Sequence, residues 1–223
     1  MPSTKDITIP LEPTYYYHIF NRGNNGDDIF YNTENYKYFL RKYEAYMSGY
    51  LTTLAYCLLP NHFHIVAQVK PIYELLPLAL SHFKKSWDKA QPHDQASLHK
   101  WLCWSVSERI RRWKLGYAKA INNQEGRTGS LFEKPFRRKL IGDDDYLRYA
   151  ICYTHLNPWK HKIALDYEAY PWSSYQAYIQ QAAYTNTPVS LQINLGLFGD
   201  RNAFKEYHET VKRNKDHDDQ WLE

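Results

Sequence analysis

The fold is decided by the stretch "LTTLAYCLLPNHFHIVAQV", residues 51–69, in which two apolar runs are separated by a very short link. Residues 51–59 and 62–69 are rich in apolar and β-branched side chains, a composition typical of strands. A link this short allows only antiparallel pairing, because parallel strands need a crossover of about a dozen residues or more. The sequence therefore predicts an antiparallel hairpin inside a sheet.

Two histidines lie in the second of these strands. Because successive side chains of a strand point to opposite faces, His62 and His64 share one face and Phe63 lies on the other. Two imidazoles on one face can chelate a metal ion. The chain has 10 histidines, however, so the spacing alone also fits ordinary core or surface histidines. On these residues alone, both interpretations stay open.

The residues that flank the hairpin predict alternating strands and helices. Strands are expected at 15–21 and, with a proline inside, within 131–141; helices are expected at about 34–48, 72–87, 105–122 and 142–158, the last ending at Pro158. This order predicts an α+β fold: a ferredoxin-like β-α-β-β-α-β antiparallel sheet with helices on one face. The helix 142–158 and a helical tail from about residue 201 are additions to that core.

The domain organisation follows from the same pattern. Residues 88–104 lack a clean helical period and are predicted to form a helical insertion in a domain that spans residues 1–160. Residues 161–223 are predicted to be a C-terminal extension packed on that domain.

Charge and aromatic content favour a polyanion as partner. The net charge is only +4, but a basic zone at 127–139 contains one acid, Glu133, and a second basic run, "RIRRWK", spans 109–114. For that second run, a solvated helix face is an equally good interpretation. The 21 tyrosines suit stacking on unpaired bases, and they suit plain cores as well.

The remaining composition predicts an ordinary globular protein of a reducing compartment, with the cytoplasm as the default. Hydrophobic residues make up 43% and charged residues 23%, and no apolar run approaches the roughly 20 residues of a membrane span. The 3 cysteines stand far apart, which argues against disulfides and zinc knuckles. The chain contains no HExxH, GxSxG, P-loop or GxGxxG pattern.

Several motifs in one order resemble a known family. "LPNHFH" at 59–64 resembles the His-hydrophobic-His motif of HUH endonucleases, and "YTHLNP" at 153–158 resembles the catalytic-helix motif of single-tyrosine transposases. "NRGNNGDDIF", "GRTGSLFEKPFRRKLI" and "YPWSSYQAY" are similar to segments of the REP-associated branch of that family. The resemblance runs from about Tyr15 to Tyr178, most of the chain.

The resemblance implies a specific active site. Tyr153 matches the catalytic nucleophile, and Asn157 matches the third ligand of a metal held with His62 and His64; Mg²⁺ or Mn²⁺ is expected. The spacing supports the pairing of the two helical residues, since positions i and i+4 share one face. The alternative for Tyr153 is an ordinary core position, in a stripe with Tyr146 and Tyr149.

The resemblance also implies the substrate and the reaction. The expected substrate is single-stranded or hairpin DNA, cleaved and rejoined through a 5′-phosphotyrosine intermediate, and the chain is expected to act without a membrane. Five basic residues are candidates for phosphate contacts: Arg22, Lys134, Arg137, Arg138 and Lys139. Trp159 and Lys160 stand where many relatives have Val and a basic residue, a departure expected to affect helix-end packing more than chemistry. Monomer and homodimer both remain open.

Two other functions compete with this one. A catalytically silent or domesticated nucleic-acid-binding protein would share the fold, but it has no need of His62, His64, Tyr153 and Asn157 together. A relaxase or replication initiator would share the histidine pair, but such proteins usually carry it after the tyrosine.

Overall fold

The chain forms one four-stranded antiparallel sheet with helices on both faces. The computed structural model describes residues 9–180, 189–190 and 196–214. The strands are β1 (Tyr16–Arg22), β2 (Leu51–Leu59), β3 (His62–Val69) and β4 (Arg137–Ile141), and their order across the sheet is β2-β3-β1-β4. Each neighbouring pair is antiparallel. The predicted α+β fold with a ferredoxin-like sheet is confirmed.

The hairpin forms where the sequence predicts it. Leu59 pairs with His62, so only Pro60 and Asn61 lie in the link. The segment after β1 fastens this tip through backbone hydrogen bonds: Gly23 N donates to Asn61 O (2.7 Å), and Ile29 N and Phe30 N donate to Pro60 O (2.8 and 3.0 Å). The strand that carries the two histidines is thus fixed at its first residue.

The helices surround the sheet in chain order. They are α1 (Thr33–Met47), α2 (Ile72–Ala90), α3 (Gln95–Gln124), α4 (Asp144–Lys160), α5 (Tyr175–Gln180) and α6 (Arg201–Arg213). A short 3₁₀ turn at Asn24–Gly26 follows β1. None of the helices in the described ranges is long and apolar enough to span a bilayer.

The helix start expected at 105 is wrong, while the interpretation of residues 88–104 as an insertion stays a prediction. Residues up to Ala90 complete α2, and α3 begins ten residues earlier than expected, at Gln95. Asp94 caps α3 through a capping box with Ser97, and the apolar stripe of α3 already begins at Trp101 and Leu102. The polar link between the helices hides this period in the sequence.

Two cores lie on opposite faces of the sheet. The first is built by α1, α2 and α3 against residues such as Ile19, Phe63 and Ile65. The second is built by α4 against Val66 and Leu54. The added helix therefore covers the face that His62 and His64 occupy. It runs to Lys160 instead of ending at Pro158, because a proline in the last turn removes only one backbone hydrogen bond.

The described part of the C-terminal extension packs in the same core as α4. Tyr167, Tyr175, Tyr178 and Phe204 are buried in the same core as α4 residues. The extension also covers the edge strand β2, where Leu58 N donates to Trp172 O and Ser174 N donates to Tyr56 O. The helical tail expected from residue 201 is α6.

Candidate active site

The two histidines of β3 lie on the sheet face beneath α4, with Phe63 in the core on the other side. His64 is 4% exposed, and His62 is half-buried. Burial lowers the pKa of His62 to about 3, with His161 and Arg22 adding to the effect. Burial also lowers the pKa of His64 well below its ordinary value, helped by neighbouring His18. Both imidazoles are therefore neutral at pH 7, which is the form that binds a metal.

Helix α4 carries the other two predicted site residues. Its N-terminus is fixed by Asp143, whose side chain accepts from Tyr146 N, and Asp144 and Asp145 follow in the first turn. The buried Tyr153 ring meets the His64 ring edge-on, with 5.9 Å between centroids. Asn157 is fully buried one turn further on, and its Nδ2 donates to Tyr153 O at 2.8 Å.

The register of α4 over β3 places Asn157 between two contacts. Tyr153 contacts His64, and His161, just beyond the helix, packs against His62 with 4.8 Å between ring centroids. Residues spaced by four lie on one helix face, so Tyr153, Asn157 and His161 form one row. The structure therefore brings together the four residues that the sequence singles out, along one seam between α4 and β3.

Two atoms of this seam suit a divalent cation. His64 Nε2 and Asn157 Oδ1 are buried and have no hydrogen-bond partner among the described residues. An imidazole nitrogen and an amide oxygen are both lone-pair donors, and a bound cation would satisfy them. Among the described residues, no three His, Cys, Asp or Glu side chains form a group that could hold a metal. A site for Mg²⁺ or Mn²⁺ here thus depends on Asn157 as the third ligand.

Lys160 lies against the predicted nucleophile, a contact that was not predicted from the sequence. Its Nζ is 3.4 Å from Tyr153 Oη and 4.6 Å from the centre of the tyrosine ring. An adjacent ammonium group favours the phenolate over the phenol. The contact arises because positions 153 and 160 are two turns apart on one helix side. Lys160 is the basic residue expected at this position, whereas Trp159 is the departure, so the contact with Tyr153 belongs to the feature that this chain shares with its relatives.

The five predicted phosphate contacts do not form one surface. Arg137 pairs with Phe20 and Lys139 with His18, so strand alternation puts both basic residues on the face of His64. Arg22 is exposed and pairs with His62. Arg138 lies on the opposite face, where its Nε donates to Ile9 O and its guanidinium lies 4.7 Å from the Phe136 ring centre. Lys134 is exposed just before β4.

His18 is a further residue of this site, and it was not predicted from the sequence. This fully buried residue of β1 places its Nε2 2.9 Å from His64 Nδ1, and the two rings stack. The available signal was a lone histidine inside the apolar strand "YYYHIFN", but a single strand does not reveal which neighbour it pairs with.

Comparisons with known proteins concern the chain as a whole. No protein-family model matches the chain. A Haemophilus influenzae protein named "putative REP-associated tyrosine transposase" is 22% identical over 132 residues, which are 59% of this chain and 63% of the relative. The chain thus matches less than two thirds of that relative's length.

A solved structure shows the same fold. It is described as a REP-associated tyrosine transposase bound to a REP hairpin, and it matches with a TM-score of 0.54 and 14% identity, over 84% of this chain and 90% of the other. Both comparisons point to the group that the motifs indicate. They confirm the resemblance of this chain to the REP-associated branch of the single-tyrosine HUH transposases.

Proposed function

We propose that the protein is a metal-dependent transposase-type endonuclease that nicks and rejoins single-stranded or hairpin DNA through Tyr153. The observation that carries the proposal is the seam between α4 and β3. There, a buried tyrosine contacts His64, and the partnerless Nε2 of His64 and Oδ1 of Asn157 offer lone pairs to a cation. A structural core has no use for two unsatisfied acceptors beside one phenol.

The residues divide the chemistry between them. A divalent cation held by His62, His64 and Asn157 would neutralise charge on the scissile phosphate. Tyr153 Oη forms a bond to phosphorus, the bond between phosphorus and the 3′-oxygen breaks, and the phenol proton leaves to water or to that oxygen. The products are a 5′-phosphotyrosine and a free 3′-OH. Because the ester bond is conserved, a 3′-OH can reverse the step and join strands without ATP.

The proposed nucleophile is a phenol, and Lys160 lies where it can favour the loss of the phenol proton. A phenol has an ordinary pKa near 10, so only roughly one part in a thousand is ionised at pH 7. The ammonium group of Lys160, 3.4 Å from Tyr153 Oη, stabilises the phenolate as the proton leaves. Helix α4 holds the tyrosine in place. In well-oriented systems, such positioning can lower the activation barrier by about 7 to 11 kcal/mol.

The proposed substrate rests on the charge of the site face. Arg22, Arg137 and Lys139 lie on the sheet face that carries the histidines, where they can contact a phosphate backbone. Such contacts orient the DNA without reading its sequence. The related solved structure holds a REP hairpin, which supports a hairpin as the first substrate to test.

Covalent capture tests the proposal. The protein is incubated with labelled single-stranded hairpins from its own genomic neighbourhood and Mg²⁺ or Mn²⁺, and adducts that survive SDS are counted. Wild type should form an adduct, and Tyr153→Phe should form none. Tyr149→Phe is the matched control, since this half-buried tyrosine of α4 lies 6.3 Å from the Tyr153 ring and should be dispensable.

Two results would contradict the proposal. An adduct with Tyr153→Phe would assign the nucleophile to another residue. Hairpin binding by wild type without any adduct, in either metal, would instead favour the catalytically silent DNA-binding protein.

A further inference from the structure

His18 lies next to the predicted metal ligand His64, in the neighbouring strand β1. Its Nε2 lies 2.9 Å from His64 Nδ1, on the far side of the His64 ring from the partnerless Nε2. The His18 ring stacks between two neighbours, 4.8 Å from the Phe20 centroid and 5.0 Å from the His64 centroid. It is fully buried, so DNA cannot touch it directly.

The hydrogen bond between the two rings allows only two arrangements of protons. A hydrogen bond between two ring nitrogens needs one proton between them, here between His18 Nε2 and His64 Nδ1, 2.9 Å apart. If His18 donates it, His64 carries its own proton on Nε2 and cannot bind a cation there. If His64 donates it, His64 Nε2 presents a lone pair to the seam. In that case His18 carries its proton on Nδ1, a buried atom without a partner among the described residues.

We propose that His18 is a positioning residue for the metal site: it accepts a hydrogen bond from His64 Nδ1–H and so directs the His64 Nε2 lone pair at the cation. This inference rests on the proposed function, because it needs a cation between His64 and Asn157. A hydrogen bond to the second nitrogen of a ligating histidine fixes both its tautomer and its ring orientation.

The identity of the residue supports a role beyond packing. A phenylalanine at position 18 would keep the stacking on Phe20 and His64. It would also remove the partnerless Nδ1, whose burial is unfavourable. Imidazole differs from phenyl here through its hydrogen bond to the buried His64 Nδ1. What imidazole adds is the acceptor that faces His64 Nδ1.

Two substitutions separate positioning from packing. His18→Phe keeps the ring and loses the acceptor, whereas His18→Gln restores an acceptor, since its side-chain oxygen lies as many bonds from Cβ as histidine Nε2. Binding of Mn²⁺ alone is measured by electron paramagnetic resonance, and stability by thermal unfolding. His18→Phe should bind Mn²⁺ roughly 10- to 100-fold more weakly, while a cooperative unfolding transition shows that the variant still folds. His18→Gln should regain most of the affinity.

The matched control is His82→Phe, at a histidine of α2 that bonds and stacks with Tyr50 away from the site. It should leave Mn²⁺ affinity unchanged. Nitrogen-15 spectra of His64 in the Zn²⁺-loaded protein supply a readout independent of activity. They should show the proton on Nδ1 in wild type and the metal on Nε2.

The outcomes distinguish this inference from the proposed function. If His18→Phe binds Mn²⁺ as tightly as wild type, or if His64 is protonated on Nε2 with metal present, the positioning role is overturned, whatever the adduct assay shows. If the metal results hold but wild type forms no adduct on hairpin DNA, the proposed function fails and the positioning role stands. If wild type binds no cation, both fall.

Discussion

Lys160 places its side-chain nitrogen beside the phenol of Tyr153 in the seam between α4 and β3. Its Nζ lies 3.4 Å from Tyr153 Oη. Lys160→Met should slow single-turnover adduct formation by about tenfold or more, equivalent to roughly 1.4 kcal/mol of barrier, while hairpin affinity changes little. Lys160→Arg should keep most of the rate, because it keeps the cation.

The control for Lys160 is Lys119→Met, which removes the same charge from an exposed position on α3. Rapid-quench kinetics with saturating hairpin measures the covalent step alone. Equal rates for Lys160→Met and wild type would show that the tyrosine needs no help from this ammonium group.

Residue chemistry was predictable where it depends on spacing within one element. Strand alternation places His62 and His64 together, and the four-residue step joins Tyr153 to Asn157. His18 and Lys160 were not predictable in this way. The role of His18 depends on the register between β1 and β3, and that of Lys160 depends on which side of α4 faces the sheet. Neither the strand register nor the orientation of the helix follows from the local pattern of a single sequence.

At the scale of elements, a chain of buried hydrogen bonds ties α4 to the C-terminal helix α6. His208 Nδ1 donates to Phe204 O (2.8 Å), His155 Nδ1 lies 3.0 Å from His208 Nε2, and His155 Nε2 lies 2.8 Å from Ser174 Oγ. The carbonyl can only accept, so the chain is satisfied when both histidines are neutral and each Nδ1 donates. Protonation of either ring breaks this pattern.

This chain makes stability sensitive to acid. Burial lowers the pKa of His208 to about 4 and that of His155 well below its ordinary value. The unfolded histidines titrate near pH 6.5, so between about pH 6.5 and 4 the unfolded state binds more protons, and stability falls as the pH falls. For His208 alone, the loss between pH 7 and pH 5 is about 2 kcal/mol.

Urea unfolding at the two pH values measures that loss. His208→Gln should show a smaller loss than wild type, because one of the histidines that must be neutral when folded is gone. His93→Gln, at an exposed histidine between α2 and α3, should keep the wild-type loss. An unchanged pH dependence in His208→Gln would show that this contact does not govern the acid response.

Element boundaries show where sequence patterns lose information. The β2–β3 hairpin was predicted at its observed bounds, because its link is too short for any other structure. The start of α3 was predicted ten residues late. The first turns of α3 are mostly polar, and the buried residues of this helix begin only at Trp101. The Asp94 cap lies in a polar stretch that resembles a loop. The capping box, rather than the apolar period, defines that end.

For the whole molecule, the sequence established the order of elements but not the two-sided arrangement of helices. Alternation predicts that one face of β3 is occupied by histidines, yet only the packed structure shows that α4 and the described part of the extension cover that face. The same arrangement divides the basic segment at β4. Arg137 and Lys139 lie on the site face and Arg138 on the other, a separation that the bare count of positive charges conceals.

That separation gives a prediction for DNA binding by the whole protein. Arg137→Gln and Lys139→Gln should each weaken hairpin binding and reduce the slope of log affinity against log salt by about 0.7 to 0.9, the value for one lost phosphate contact.

Lys84→Gln removes an equal charge from an exposed position on α2, behind the opposite face, and should leave the slope unchanged. Arg138→Gln should lower the melting temperature, through loss of its bond to Ile9 O, more than it alters the slope. Fluorescence anisotropy with a labelled hairpin across a salt series measures the slopes. If Lys84→Gln flattens the slope as much as Lys139→Gln does, DNA does not follow the face that carries His62 and His64.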